Sequence, residues 1–195
     1  MSRLEPRRPH GPDLLRRMTF RWGRRMYGAD LVPSSIIAHS KPSLLGYGAV
    51  GLAHEKSTSV PTRYKSLAML RTAQLTGCEW CLDFGSRNAQ DGGIPAEDLK
   101  ELSLWRDSGR FDDVDRLVLG YAEAMTRTPM EVTDEQFAGL REHFDEGQMV
   151  ELTMAIAAEN LFSRTNWALG IEGQGLSEGM YCVAPAARQA LSSAA

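Results

Sequence analysis

Wherever apolar residues form a pattern in this chain they recur at three- and four-residue intervals, and nowhere do they alternate. Tyr64, Leu67, Leu70 and Ala73 follow one such row, Val114, Leu117, Val118, Tyr121, Ala122 and Met125 a second, and Phe137, Leu140 and Phe144 a third. This is the period of one face of an α-helix, and without a period-two run or an Asn-Gly hairpin no strand is expected. The chain is therefore read as all-α, with about seven or eight helices.

Punctuation refines the reading. Pro42 opens a segment, residues 41–54, crowded with Gly46, Gly48 and Gly51, which predicts a short helix whose glycines allow close approach of a neighbour. The helix over 62–75 should stop at Thr76-Gly77, since glycine takes the backbone angles of a sharp turn, and a second helix should run from the next cysteine to the Asp91-Gly92-Gly93 stop. "TDEQ" at 133–136 has the form of a capping box, Thr133 bonding the backbone and Gln136 reaching back. The stretch "MVELTMAIAAENLF" within 147–169 is apolar nearly all round and predicts the central buried helix.

Charge is segregated. Residues 1–25 carry eight arginines against Glu5 and Asp13, a net +6, so a chain of net charge −3 carries −9 in the remainder. Residues 1–12 read as a mobile arm, with order beginning near Asp13. In the helix that follows, Leu15, Met18, Trp22 and Met26 share one face and Arg17, Arg21 and Arg24 lie on the other. Such a helix docks on its own protomer or a neighbour with a solvated arginine face; nucleic-acid binding usually needs more than one basic stripe and is not expected. The organisation is thus a basic arm and helix over 1–30, a helical domain over 31–172 and an Ala/Ser-rich, weakly held tail over 173–195. No apolar run reaches the roughly 18 residues of a membrane span, and no secretion-type apolar core follows the N-terminus, so a cytoplasmic location without membrane association is expected.

The chemistry concentrates in "LTGCEWCLDFGS", where Cys78 and Cys81 stand three residues apart at an expected helix start. Unpaired backbone N–H groups and the positive end of the helix dipole favour thiolate there, and a second thiol within the same turn can resolve an attack on a peroxide or disulfide. Zinc is the other use of a CxxC, but it needs further ligands, and His10, His39, His54 and His143 are scattered singly. No metal and no cofactor is expected. Cys182 stands apart and reads as a small apolar filler, and Trp80 as a packing residue beside the thiols.

These residues resemble the alkylhydroperoxidase D-like and carboxymuconolactone decarboxylase superfamily. The resemblance spans about residues 31–172, through "AHSKPSLLGYG", "VPTRYKSLAMLRTAQLTGCEWCLDFGSRNAQDGG" and "AAENLFSRTNWALGIE". It implies an all-helical alkylhydroperoxidase D-like fold, assembly into homo-oligomeric dimers, trimers or hexamers, and a CxxC that reduces a hydroperoxide or disulfide substrate with electrons from a thiol donor. By the same resemblance Cys81 attacks and Cys78 resolves. The peroxidases of the family also carry a glutamate twelve residues before the first cysteine and a histidine four after the second, as a proton relay. Here those positions are Ser66 and Gly85.

Asp83, Glu159, Asn160 and Arg164 are the possible supporting residues. Asp83 and Glu79 also suit a helix first turn, and Glu159, in so apolar a segment, calls for a partner such as Arg164 or another charge in the site. Two further readings stand beside the thiol oxidoreductase. One is a decarboxylase-like lyase or lactone-processing enzyme, with Arg71 and Arg164 binding a carboxylate. The other is a non-catalytic redox sensor or assembly module.

Overall fold

The computed structural model describes residues 2–7 and 14–177. Among them nine α-helices and one 3₁₀ turn follow each other without a strand: α1 (Leu14–Tyr27), α2 (Val32–Ile37), α3 (Lys41–Lys56), α4 (Thr62–Thr76), α5 (Glu79–Asp91), α6 (Ala96–Glu101), the 3₁₀ turn Leu102–Leu104, α7 (Asp113–Thr126), α8 (Asp134–Arg141) and α9 (Glu146–Ala168). The number exceeds the expected seven or eight because α2 and α6 are single six-residue pieces, too short to show an apolar period.

Helix ends are set by local chemistry. Asp112 and Asp145 close full capping boxes with Asp115 and Gln148, each satisfying two backbone donors that a helix start leaves open. At "TDEQ" only half of the expected box forms: the Thr133 side chain accepts from the Gln136 N–H. α4 ends on Gly77, whose left-handed φ of 71° suits glycine and turns the chain into α5.

α4 lies at the centre, packed against α9, α7 and α5. One apolar cluster gathers Leu67, Leu70 and Ala73 with Cys78, Cys81, Trp105, Leu119 and Ile171; a second joins Ala68, Val118, Tyr121, Leu140, Phe144, Leu152 and Ile156. Ion pairs join α4 to α6 and α7. Arg63 bonds Asp98 and Asp115 at 2.7 Å each, and Glu123 on α7 holds Arg71 and Arg106 at 2.6 Å each. Burial opposes ionisation of Glu123, but the bonds from Arg106, Trp105 and Arg71 outweigh it and bring its pKa to about 2.

Several expectations are corrected. Residues 2–7 are not a free arm: the Arg3 N–H donates to Leu169 O at 2.9 Å and the Arg7 N–H to Ser35 O at 3.0 Å. Phe20 and Gly23 form the inward face of α1, leaving Met18 and Trp22 outside. In α3 nothing lies within 4 Å of a Cβ placed on Gly46, Gly48 or Gly51, so these glycines serve no close approach within the protomer. α9 is not buried all round, because Val150, Met154 and Leu161 face outward. Nor does the weakly held tail begin at 173: Gln174 accepts from the Val32 N–H and from Trp80 Nε1, both at 2.8 Å. Cys182, Leu15 and Met26 lie outside the described side chains.

Candidate active site

Cys78 is the residue before α5, and its sulfur accepts the Cys81 N–H at 3.2 Å. It therefore occupies the cap of the helix rather than the first turn, where a sulfur meets the open N–H groups most directly. Cys78 and Cys81 are joined as a disulfide with Cα atoms 5.3 Å apart. Both residues are buried, Cys78 at 1% and Cys81 at 5% exposure.

Asn166, from the far end of α9, brings its amide to this pair: Nδ2 donates to Cys81 Sγ at 3.4 Å. The orientation of that amide is set from the other side, where the Tyr47 hydroxyl on α3 donates to Asn166 Oδ1 at 3.4 Å. Asn166 is the third member of a polar row on α9, Glu159, Ser163 and Asn166, spaced i, i+4 and i+7 and therefore on one face. The Ser163 hydroxyl donates to Glu159 at 2.5 Å. Burial pushes the Glu159 carboxyl up to about 8, against a smaller opposite pull from Ser163. Burial likewise raises the Tyr47 hydroxyl far above its usual range, and the negative charge of Glu159 adds to the rise.

The places of the family-type relay are filled otherwise. A Cβ on Gly85 would come within 2.9 Å of Leu70 Cδ2, so Leu70 would have to shift to admit a side chain there. Ser66 lines a separate cleft of about 320 Å³ with His54, Lys65, Met69 and Asn88.

The sequence-based candidates divide. Glu159 is in the buried row, but its hydrogen-bond partner is Ser163 and not Arg164. Asn160 and Arg164 belong to a neighbouring network: Asn160 Nδ2 donates to Thr126 Oγ1 at 3.1 Å, and Arg164 donates to Asn160 Oδ1 at 3.3 Å and Thr126 O at 3.0 Å. Asp83 accepts the N–H groups of Gln174, Leu176 and Ser177 and the Ser177 hydroxyl. Burial resists its ionisation, yet those donors prevail and hold its pKa below the usual value. Arg71, a carboxylate binder in the lyase reading, is spent on Glu123 and Gln74. Trp80 stacks on Phe84 with ring centroids 4.7 Å apart. Tyr47 carries no local signal in the sequence, whereas the i, i+4, i+7 row of Glu159, Ser163 and Asn166 in an apolar helix is one for Asn166. Among the described residues no cluster of three or more His, Cys, Asp or Glu suits a metal, and no helix is long and apolar enough to cross a membrane.

Residues 46–124 match the model of the carboxymuconolactone decarboxylase family. The uncharacterized protein YnjA of Escherichia coli strain K12 is 37% identical over 127 residues, 65% of this chain and 70% of that protein. The uncharacterized protein YdfG of Bacillus subtilis strain 168 is 28% identical over 118 residues, 60% of this chain and 80% of the relative. A crystal structure from Agrobacterium tumefaciens, of a protein of unknown function described as a putative antioxidant defence protein AhpD, has a TM-score of 0.66 and 25% identity, covering 70% of this chain and 93% of that one. The debrominase Bmp8 has a TM-score of 0.79 at 16% identity over 91% of this chain and 96% of its own, which speaks for the fold alone.

Proposed function

Because the chain belongs to the alkylhydroperoxidase D-like and carboxymuconolactone decarboxylase superfamily, we propose that it is a CxxC thiol oxidoreductase that reduces organic hydroperoxides at Cys81. The observation that carries this reading is the Cys78–Cys81 disulfide at a helix start, with the Asn166 amide on the Cys81 sulfur.

In the proposed cycle the reduced Cys81 sulfur attacks the terminal oxygen of ROOH. An S–O bond forms, the O–O bond breaks, and the alkoxide leaves as ROH with the proton the thiol gave up, so Cys81 becomes a sulfenic acid. The Cys78 thiolate then attacks Cys81 Sγ. An S–S bond forms, the S–O bond breaks, and the hydroxyl departs as water with a second proton. An external dithiol returns two electrons and restores both thiols.

The proton steps need a substitute for the absent histidine. Hydrogen bonds to a charged group contribute about 1.5–3 kcal/mol and a helix terminus about 0.3–1 kcal/mol, which together offset burial of the thiolate rather than exceed it. Asn166 thus favours the Cys81 thiolate, and Tyr47 keeps the amide hydrogens turned to sulfur. Glu159, with a pKa of about 8, is largely protonated near pH 7, so the buried row carries little negative charge to oppose that thiolate. The outward apolar faces of α1, α3 and α9 fit a homo-oligomer.

Steady-state reduction of cumene hydroperoxide with dithiothreitol as donor tests the reading. Turnover is expected in the wild type and its loss in both Cys78→Ser and Cys81→Ser; turnover unchanged in both variants overturns it.

A further inference from the structure

A cleft of about 540 Å³ opens beside the cysteine pair, lined by Leu75 and Thr76 of α4, Thr126 and Arg127 at the end of α7, and Arg164 and Trp167 of α9. It shares a wall with the candidate active site. The Trp167 ring lies against Gly77, where a Cβ would come within 3.3 Å of Cζ3, and Gly77 directly precedes Cys78. The next residue back along α9, Asn166, is the one that reaches Cys81 Sγ.

The two arginines of the cleft differ. Arg127 is already paired with Glu131 and lies 3.8 Å from Glu123. Arg164 is exposed and spends two donors on neutral acceptors, Asn160 Oδ1 at 3.3 Å and Thr126 O at 3.0 Å, with no carboxylate partner among the described residues. A guanidinium has five N–H donors in a planar fork that matches a carboxylate, so Arg164 keeps three donors and its full charge for one. Trp167 and Leu75 supply apolar wall, Trp167 on the side of Gly77. We propose that this cleft binds an organic acid with an apolar body, its carboxylate on Arg164 and its body against Trp167 and Leu75. Resting on the thiol-peroxidase reading, it follows that the substrate class is a carboxylate-bearing organic hydroperoxide.

The probes are 4-phenylbutyrate and the matching alcohol 4-phenylbutanol, titrated calorimetrically into the full-length protein. The acid is expected to bind about tenfold tighter or more than the alcohol, a preference that fades as salt rises. Arg164→Gln should remove the preference and leave alcohol binding unchanged. Arg164→Lys should keep part of it, because a point charge remains without the fork. Leu75→Trp, which fills the cleft from a partly exposed position and leaves Arg164 intact, should abolish binding of both probes. Equal affinity for acid and alcohol, or a preference that survives Arg164→Gln in a folded protein, overturns the proposal.

A second readout separates it from the reading it rests on. In the wild type 4-phenylbutyrate should raise KM for cumene hydroperoxide without lowering kcat, and in Arg164→Gln it should not. Acid binding without any effect on KM contradicts the assignment to substrate. Acid binding in a protein that reduces no hydroperoxide contradicts the thiol reading and upholds the cleft.

Discussion

Asn166 and Glu159 carry the residue-scale consequences. Removing the amide in Asn166→Ala should raise the Cys81 thiol pKa by about one unit, the size of a modest hydrogen bond to a charged group, as read from the pH dependence of alkylation by iodoacetamide. An unchanged pKa would deny Asn166 its role. Glu159 makes stability itself pH-dependent. Its pKa is raised from 4.5 to about 8 in the folded protein. Below 4.5 both folded and unfolded chains hold the proton. Between 4.5 and about 8 only the folded chain holds it, so stability falls as pH rises, by up to about 1.4 kcal/mol per pH unit, and no further loss follows above that window. Glu159→Gln should therefore gain on the wild type in denaturation midpoint as pH rises from 5 to 8, and parallel curves would contradict the buried-carboxyl assignment. At this scale the sequence exposed the cysteines, because their spacing is local, and the two blanks at Ser66 and Gly85. It hid Tyr47, which meets Asn166 from 119 residues away. It also suggested Arg164 as the partner of Glu159, where one helical turn favours Ser163 instead.

At the scale of elements, the α4–α5 contact is close at the relay position that glycine holds. Leu70 sits where a side chain at 85 would start, 2.9 Å from the Cβ position. Gly85→His should cost about 1–3 kcal/mol through overpacking, measured by chemical denaturation. Leu70→Ala combined with Gly85→His should recover part of that loss, although Leu70→Ala alone costs about 2–5 kcal/mol. Strictly additive losses would show that the two side chains do not compete for one space. Helix extents were legible where a period and a stop coincide, as in α4 with its glycine cap and α5 with its Gly92-Gly93 end. They were not legible in α2 and α6, which are shorter than two turns. Full capping boxes form at Asp112 and Asp145 while "TDEQ" closes only half of one, because a cap depends on rotamers as well as on residue type.

For the whole molecule, the all-α class followed from periodicity alone, whereas the faces that meet a partner did not. A helix apolar on two sides reads the same whether the second side covers its own core or a neighbour's. In the structure Leu14, Met18 and Trp22 on α1, Leu45 and Leu52 on α3, and Val150, Met154 and Leu161 on α9 are all exposed. Light scattering on a sizing column should give a multiple of the 21.6 kDa chain mass. Val150→Glu with Met154→Glu should shift it downward, and a wild-type monomer at micromolar concentration would contradict the assembly. Which sulfur meets the peroxide is decided by a single turnover of prereduced protein with one equivalent of cumene hydroperoxide and a sulfenic-acid trap. One alcohol per disulfide is expected in the wild type, with a trapped sulfenic acid on Cys81 in Cys78→Ser and no reaction in Cys81→Ser. A sulfenic acid trapped on Cys78 in Cys81→Ser, formed as fast as the wild-type protein reacts, would contradict attack by Cys81.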